Sequence, residues 1–525
     1  MPLIYAARLR GWRFILLNVA IGLANVAALS NVPGYAILAP YAAGDLQGVT
    51  PSFGAWATTD YMIGLALGFP IARWLVARFG DYRVYASALI LYALLSFVCA
   101  AAEDIYSFVA VRVLLGLAGG VILPVGQALL LGEYPPKKRT LGVGFWGILS
   151  MAPFTIGMFM GGWYAEHLGW RSLFYSNAAI ALTVAWSSSS LFYGRGFQVR
   201  IARFDGVGFV LLAIILLGTQ TIFNQGNDFD WFDSPFLFAI FIAVVLALPC
   251  FVVWELSHRR PAVELMLFSY RNFAIATICS VAGFLPISGL LPLLVVQLQL
   301  LLGYSSTLAG LVYLTMIFSA APLVAFIHEL AKGADARLMA CINFLGFSVT
   351  FTWLGLFDKP ASFDQILWPM AFYGVSLAGF FTPLATLAVH GLPAAKLLRA
   401  AEELTLVRTA AGAFGIALGG VVLFRRTPFH QLDLADHFGG RRFASLDVLS
   451  DLSSRLQASG FSAKMALGQM GRLIRQESAL LSVNDAFLLA AAIFFVLAAF
   501  VWFADPTIAR PPEKLRAAEA EEMME

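Results

Sequence analysis

The chain has 525 residues, of which 60% are hydrophobic and only 12% charged, with a mean hydropathy of +0.80 and a formal net charge of +3. A soluble domain carries roughly 25% charged residues, so too little polar surface is present to coat a water-soluble globule. A charge this close to neutral gives no footing for nucleic acid.

A bilayer core is ~30 Å thick, and a helix needs ~20 apolar residues to cross it. About fourteen such runs are predicted. The first six cover residues 12–36, 53–72, 84–102, 106–132, 141–165 and 172–193. A pair follows at 206–224 and 235–255. The last six cover 273–297, 307–327, 338–357, 365–391, 401–424 and 484–503. No cleavable signal-peptide pattern precedes the first run, which follows Arg8, Arg10 and Arg13 and reads as an uncleaved span. Cys99, Cys250, Cys279 and Cys341 all fall in apolar runs and read as small core residues, not a disulfide framework.

Basic residues sort into alternate short loops. One set carries Arg73, Arg78, Arg83, Lys137, Lys138, Arg139, Arg195, Arg200, Arg203, Arg259, Arg260, Arg271, Lys332, Arg337, Lys396 and Arg399, with Arg510, Lys514 and Arg516 beyond the last span. The opposite short loops hold only Arg171 and Lys359. Both termini are therefore expected in the cytoplasm, which requires an even number of spans. Residues 425–483 are long, polar and charged and fall on the outer side. Leu446, Leu449, Leu452 and Leu456 recur there at helical spacing, as in an amphipathic helix packed on the spanning helices or on a partner, or in a folded external cap.

Several strings resemble the major facilitator superfamily, in particular its fourteen-helix drug:proton antiporters of the EmrB type. They are Gly132-Glu-Tyr-Pro-Pro-Lys-Lys-Arg139, Gly169-Trp-Arg-Ser-Leu-Phe174, Asp230-Trp-Phe232, Trp254-Glu-Leu256, Arg271-Asn-Phe273 and Val501-Trp-Phe-Ala504. The resemblance runs over nearly the whole chain. It implies an all-α polytopic membrane protein with two six-helix bundles around a central cavity and two extra helices between them. Residues 1–205, 206–271 and 272–525 would form these three parts, with 425–483 as the long periplasmic loop. It also implies proton-driven export of hydrophobic compounds, a periplasmic membrane-fusion adaptor and an outer-membrane channel. No cofactor beyond the proton gradient is implied.

The stretch from Arg73 to Arg83 resembles the family's charged latch between the second and third spans. Arg78, Gly80, Asp81 and Arg83 match it, whereas Arg73 stands where the family has Gly and Ala77 where it usually has a base. Arg112 lies deep in the fourth span, where an unpartnered charge is costly, and matches a family Arg tied to proton coupling. The family's first-span acid is replaced by Asn31. Asp60 lies inside the second span, and counting ~1.5 Å per residue puts it and Arg112 both ~10 Å below their outer ends. Asp60 is therefore the expected substitute for the missing acid, paired with Arg112 for coupling or as a static ion pair. Gly116 follows Arg112 by one turn. Gly157, Gly161 and Gly162 resemble the antiporter signature of the fifth span, with Met158 in place of its Pro.

Asn25, Asn31, Gln127, Asn224 and Gln297 are amides in or near spans, and each needs a cavity or a partner helix. Trp56 and Tyr61 are candidate pocket aromatics, and Arg408 matches a family basic position. Glu402 and Glu403 open the thirteenth span as an interfacial charge cluster. No zinc-ligand spacing, Walker loop or nucleophile elbow is present, so neither an ATP-driven pump nor an enzyme is indicated. The expected function is proton-coupled efflux of hydrophobic or amphipathic compounds. The alternatives are export of one physiological metabolite such as a siderophore or lipid precursor, an uncoupled facilitator, or a non-transporting receptor or scaffold.

Overall fold

The computed structural model describes residues 8–46, 51–135, 138–192, 204–331, 333–357, 363–438 and 462–507, with scattered positions between 451 and 458. Lys137, Arg195, Arg200, Arg203, Lys332, Lys359, Arg510, Lys514 and Arg516 lie outside the described residues, as do Leu446, Leu449, Leu452 and Leu456. Fourteen long helices run through the described residues. The first six are α1 Trp12–Asp45, α2 Pro51–Phe79, α3 Asp81–Ala101, α4 Ile105–Glu133, α5 Arg139–His167 and α6 Ser172–Leu191. Then come α7 Gly206–Gln225 and α8 Pro235–Ser257. The last six are α9 Arg271–Val296, α10 Ser306–Leu330, α11 Ala336–Gly355, α12 Phe363–Val389, α13 Leu397–Phe438 and α14 Ala463–Phe500.

Thirteen of these are long and apolar enough to cross a membrane. The other is α6, whose last turn is diluted by Ser187, Ser188, Ser189 and Ser190. Its 20 residues still reach ~30 Å. Side chains close several helix starts by accepting from free backbone N–H groups. Asp104 caps α4, Asp205 caps α7, Ser305 caps α10 and Asp335 caps α11.

The helix pairings repeat. In the first six helices α1 packs on α5, α2 on α4 and α3 on α6. Eight helices later α9 packs on α13, α10 on α12 and α11 on α14. The two bundles meet mainly through α5–α10 and α2–α13, with a smaller α1–α9 contact. The offset of eight carries α5–α10 onto α13–α2, so the interface maps onto itself, as expected of repeat-built transporters. Helix α7 lies against α8, α2 and α13. Helix α8 is peripheral and buries only Leu237, Ala247, Phe251 and Glu255. Cys250 is accordingly exposed on α8 and is not a core residue, whereas Cys99 and Cys279 are buried.

The outer segment 425–483 differs from the expected loop. Helix α13 continues to Phe438 and α14 already begins at Ala463, with 42 and 38 residues respectively. At ~1.5 Å per residue they reach ~63 and ~57 Å, about twice the bilayer core. Asp485 of α14 fastens the pair by accepting from Arg426 Nε at 2.8 Å and binding His430 Nε2 at 2.8 Å.

Candidate functional site

Helix α4 comes so close to α2 that a Cβ at Gly116 would strike the Tyr61 carbonyl, and one at Gly64 the Val113 carbonyl. This contact brings Arg112, one turn before Gly116, between α1 and α2. Arg112 is 0% exposed. Its Nη1 donates to Asn31 Oδ1 at 2.8 Å, its Nη2 to the Asn31 carbonyl at 3.3 Å and its Nε to the Ala57 carbonyl at 3.0 Å. The Tyr61 and Tyr35 rings stand 4.6 and 4.7 Å from the guanidinium carbon, with Phe174 at 5.5 Å. The aromatic faces add cation–π attraction.

Asn31 is itself held. Its Nδ2 donates to the Tyr92 hydroxyl and to the Ala27 carbonyl, and Tyr92 donates to the same carbonyl at 2.9 Å. Tyr61 donates to the Ala28 carbonyl at 2.6 Å. Four helices therefore converge on one buried cation. Tyr35 and Tyr92 were not singled out from sequence. The available signal was Tyr35 one turn after Asn31.

The expected ion pair between Asp60 and Arg112 is not formed. The guanidinium spends its donors on Asn31 and on Ala57, three residues before Asp60. Ala57 and Asp60 are three residues apart and so lie on neighbouring faces of α2, yet the carboxylate makes no ion pair with the guanidinium. Asp60 is 4% exposed, and its Oδ1 has no hydrogen-bond partner among the described residues. On the following face Thr59 Oγ1 accepts from Asn224 Nδ2 of α7 at 2.7 Å. Trp56 meets Tyr106 edge-on at 6.4 Å.

In the other bundle a backbone approach as close joins α9 and α13, the counterparts of α1 and α5, where a Cβ at Gly415 would strike the Leu285 carbonyl. Arg408 projects from α13 toward Phe381 of α12 and Phe284 of α9, at 4.6 and 5.9 Å. Phe284 in turn meets Phe154 of α5 edge-on at 6.5 Å, across the bundle interface. Between α5, α10 and α12 the cleft lined by Met151, Thr155, Met316 and Leu377 holds only about 10 Å³, too little for a solute.

The remaining amides divide. Asn25 Nδ2 ties α1 to the Leu149 carbonyl of α5 at 2.8 Å. Asn224 ties α7 to α2. Gln127 is half-buried and makes no hydrogen bond among the described residues. Gln297 is buried where α9 passes into a short π-helical turn.

At the end of the bundles where α2 passes into α3, Arg73 bridges them. Its Nη1 meets Glu402 Oε2 of α13 at 3.3 Å, and its Nη2 donates to the Ala262 carbonyl after α8 at 3.3 Å. Glu402 thus pairs with Arg73 and not with Arg408. Glu403 forms an ion pair with Arg399, Oε1 to Nε at 3.0 Å, and accepts from the Glu264 backbone N–H. Gly80 has φ +85°, a conformation open to glycine, and starts α3 with Asp81 in its first turn. Arg78 and Arg83 are exposed and rest on Phe79 and Tyr82. The charge that reaches across the interface is Arg73, the position that departs from the family pattern.

At the opposite end the fifth-span glycines form a three-helix junction. Gly157 abuts Pro33 and Ser30 of α1, Gly161 abuts Gly34 of α1, and Gly162 abuts Ser306 of α10. Glu166 of α5 accepts from the Thr307 backbone N–H at 2.9 Å, and Tyr41 of α1 shares a 2.7 Å hydrogen bond with Ser306.

Comparison with known proteins extends this picture. Residues 19–420 match the family profile described as Major Facilitator Superfamily. The multidrug export protein EmrB of Haemophilus influenzae is 29% identical, over 95% of this chain and 97% of its own length. The fatty acid resistance protein FarB of Neisseria gonorrhoeae is 28% identical, over 95% of this chain and 97% of its own. The proton:xylose symporter XylE, solved with 6-bromo-6-deoxy-D-glucose bound, is 13% identical with a TM-score of 0.54, over 96% of this chain and 98% of that one. This last likeness is one of fold.

Proposed function

This chain belongs to the major facilitator superfamily, and on that premise we propose that it exports hydrophobic or amphipathic molecules across the inner membrane in exchange for protons. The observation that carries the coupling is Asp60, a buried carboxylate with one oxygen unpartnered. It stands one turn from the carbonyl that holds Arg112. A membrane-embedded acid without a fixed ion-pair partner can exchange a proton as its surroundings alternate. Arg112 organises α1, α2 and α4 around that acid. The Arg112 charge acts on Asp60 through space.

In this reading residues 1–205 and 272–525 rock against each other, and 206–271 ride on α2 and α13. The Arg73–Glu402 pair holds the cytoplasmic end, and the Gly162–Ser306 junction holds the outer end. Both termini are cytoplasmic, following the basic loops. Gln127, Gln297 and Arg408 are the candidate solute contacts, because Asn25, Asn31, Tyr61 and Asn224 are already tied to neighbouring helices. The outer extensions of α13 and α14 form the surface for a periplasmic adaptor, through which an outer-membrane channel would be reached. Two relatives support the activity by name, EmrB as a multidrug export protein and FarB as a fatty acid resistance protein. FarB and the Arg408 environment favour, as a second reading, a lipid-like physiological substrate.

The test is flux in proteoliposomes driven by a pH gradient, with substrates drawn from cationic dyes, uncouplers and fatty acids. Asp60→Asn is expected to retain binding and lose the dependence of flux on the gradient. Normal gradient-driven flux by the variant would remove Asp60 from coupling.

A further inference from the structure

Two guanidinium groups project between the helices, Arg112 fully buried and Arg408 half-buried, and only the first is hydrogen-bonded. Arg112 makes three hydrogen bonds. Arg408 makes no hydrogen bond or ion pair among the described residues and has only the Phe381 and Phe284 rings beside it. The acids nearest to it along α13 are engaged elsewhere, Glu402 with Arg73 and Glu403 with Arg399. Leu404, Thr405, Ala411 and Gly412, which flank it on the helix surface, carry no charge.

A second, independent observation points to the same place. The Ser288 hydroxyl of α9 is 5% exposed and has no hydrogen-bond partner among the described residues. It faces Gly412, one turn on from Arg408, where a Cβ would stand 2.9 Å from Ser288 Oγ and 2.7 Å from both Phe284 Cε1 and Met62 Cε. A free cation and a free hydroxyl are thus presented at one junction of α9, α12 and α13. Met62 of α2 and Phe154 of α5 bring apolar atoms from the other bundle. A half-buried cation between apolar side chains without a counter-charge is unfavourable, whereas a carboxylate supplied by cargo would complete it with charge-assisted hydrogen bonds. Cationic cargo would meet an uncompensated positive charge at this point.

We propose that this junction binds the head group of an anionic amphiphile, a carboxylate on a hydrocarbon tail. Arg408 donates to the carboxylate, Ser288 donates a further hydrogen bond, and Phe284, Phe381 and Met62 enclose the first carbons of the tail. The proposal rests on the export reading and names its substrate class.

The experiment is equilibrium binding of radiolabelled decanoate to the purified full chain in dodecyl maltoside micelles, without a pH gradient. Unlabelled decanoate, decyltrimethylammonium and decanol serve as competitors, and thermal unfolding reports whether each variant is folded. Decanoate is expected to compete best. Arg408→Gln is expected to raise the decanoate Kd about 10- to 100-fold, the range for hydrogen bonds to a charged group. Arg408→Lys should retain part of the affinity, and Ser288→Ala should raise the Kd about 3- to 10-fold. If Arg408→Gln does not fold, Arg408→Lys and Ser288→Ala decide. An unchanged Kd in the folded variants, or tighter binding of decyltrimethylammonium than of decanoate, overturns the proposal. Gradient-driven flux of another compound alongside absent decanoate binding would leave export standing and remove the anion site. Decanoate binding without gradient-driven flux would do the reverse.

Discussion

Asn31 occupies the position where a carboxylate would neutralise Arg112, and Asn31→Asp tests that geometry directly. The two side chains have the same shape, so the new oxygen inherits the 2.8 Å contact with Arg112 Nη1. Converting a neutral acceptor to a charged one raises a hydrogen bond from about 1 to about 1.5–3 kcal/mol. At an effective dielectric of ~20 two unit charges 4 Å apart gain about 4 kcal/mol. Against this stands the desolvation of the new carboxylate, several kcal/mol. The donation from Asn31 Nδ2 to Tyr92 and Ala27 is also lost, at about 1 kcal/mol. The single substitution therefore changes stability little, by about −1 to +2 kcal/mol.

The coupling is larger. In the double variant with Arg112→Gln the new carboxylate is buried without its cation, a loss of about 3–5 kcal/mol. The interaction energy from the four-protein cycle is then expected to be at least ~2 kcal/mol. It would be read from SDS-induced unfolding in mixed micelles, followed by tryptophan fluorescence. Additivity to within ~0.5 kcal/mol would refute the placement of Arg112 on residue 31.

Three further outcomes are expected. Arg73→Glu or Glu402→Arg alone should loosen the cytoplasmic end, shifting the population by up to ~5-fold for a pair worth ~1 kcal/mol, and the double swap should restore it. Spin labels at the exposed positions Phe79 and Leu398 report this as distance distributions, and identical distributions in all four proteins would remove the pair from gating. Gly116→Val should cost about 1–3 kcal/mol in unfolding by driving α4 off the Tyr61 carbonyl. Gly420→Ala, with nothing within 4 Å of the new Cβ, should be neutral or slightly stabilising. At Asp335, outside the spans, burial pushes the carboxyl upward, but the hydrogen bonds and charge of Arg337 outweigh it and hold it below the usual carboxylate range. The stabilisation is therefore fully present above the unfolded value near ~4 and is lost as pH falls through the folded one. Asp335→Asn still caps α11 but loses the charge-assisted hydrogen bonds from Arg337, so it should lower stability by about 0.5–1 kcal/mol at neutral pH, and its gap from the native protein should close as pH falls below about 4, as followed by thermal unfolding across pH.

The spans were legible because a long apolar run has few alternatives in a bilayer: every backbone group must be satisfied within the helix. The extensions of α13 and α14 were not legible, because beyond Leu423 the run turns charged, at Arg425 and Arg426, and carries Pro428. Those residues read as loop, although α13 carries Pro428 inside the helix and continues to Phe438. The burial of Arg112 was legible from a charge in an apolar run, but its partner was not. Counting depth puts Asn31 and Asp60 at one height, while the rotation of α2 decides which of them faces the cation. That rotation is set by Gly64, Gly68, Gly116 and Gly120, whose missing side chains let α2 and α4 touch backbone to backbone.

The cytoplasmic pair was hidden for a different reason. Arg73 looked like a lost latch residue and Glu402 like an unusual interfacial acid, with 329 positions of sequence between them. The fold makes them one feature, because α2 and α13 occupy matching places in the interface that maps onto itself. An Arg where the family has Gly and an acid read as part of an interfacial cluster are physically one ion pair between the bundles. The same logic applies to Asn31. With a neutral residue at 31, neither Arg112 nor Arg408 has a carboxylate partner among the described residues, and a carboxylate cargo at Arg408 would supply one.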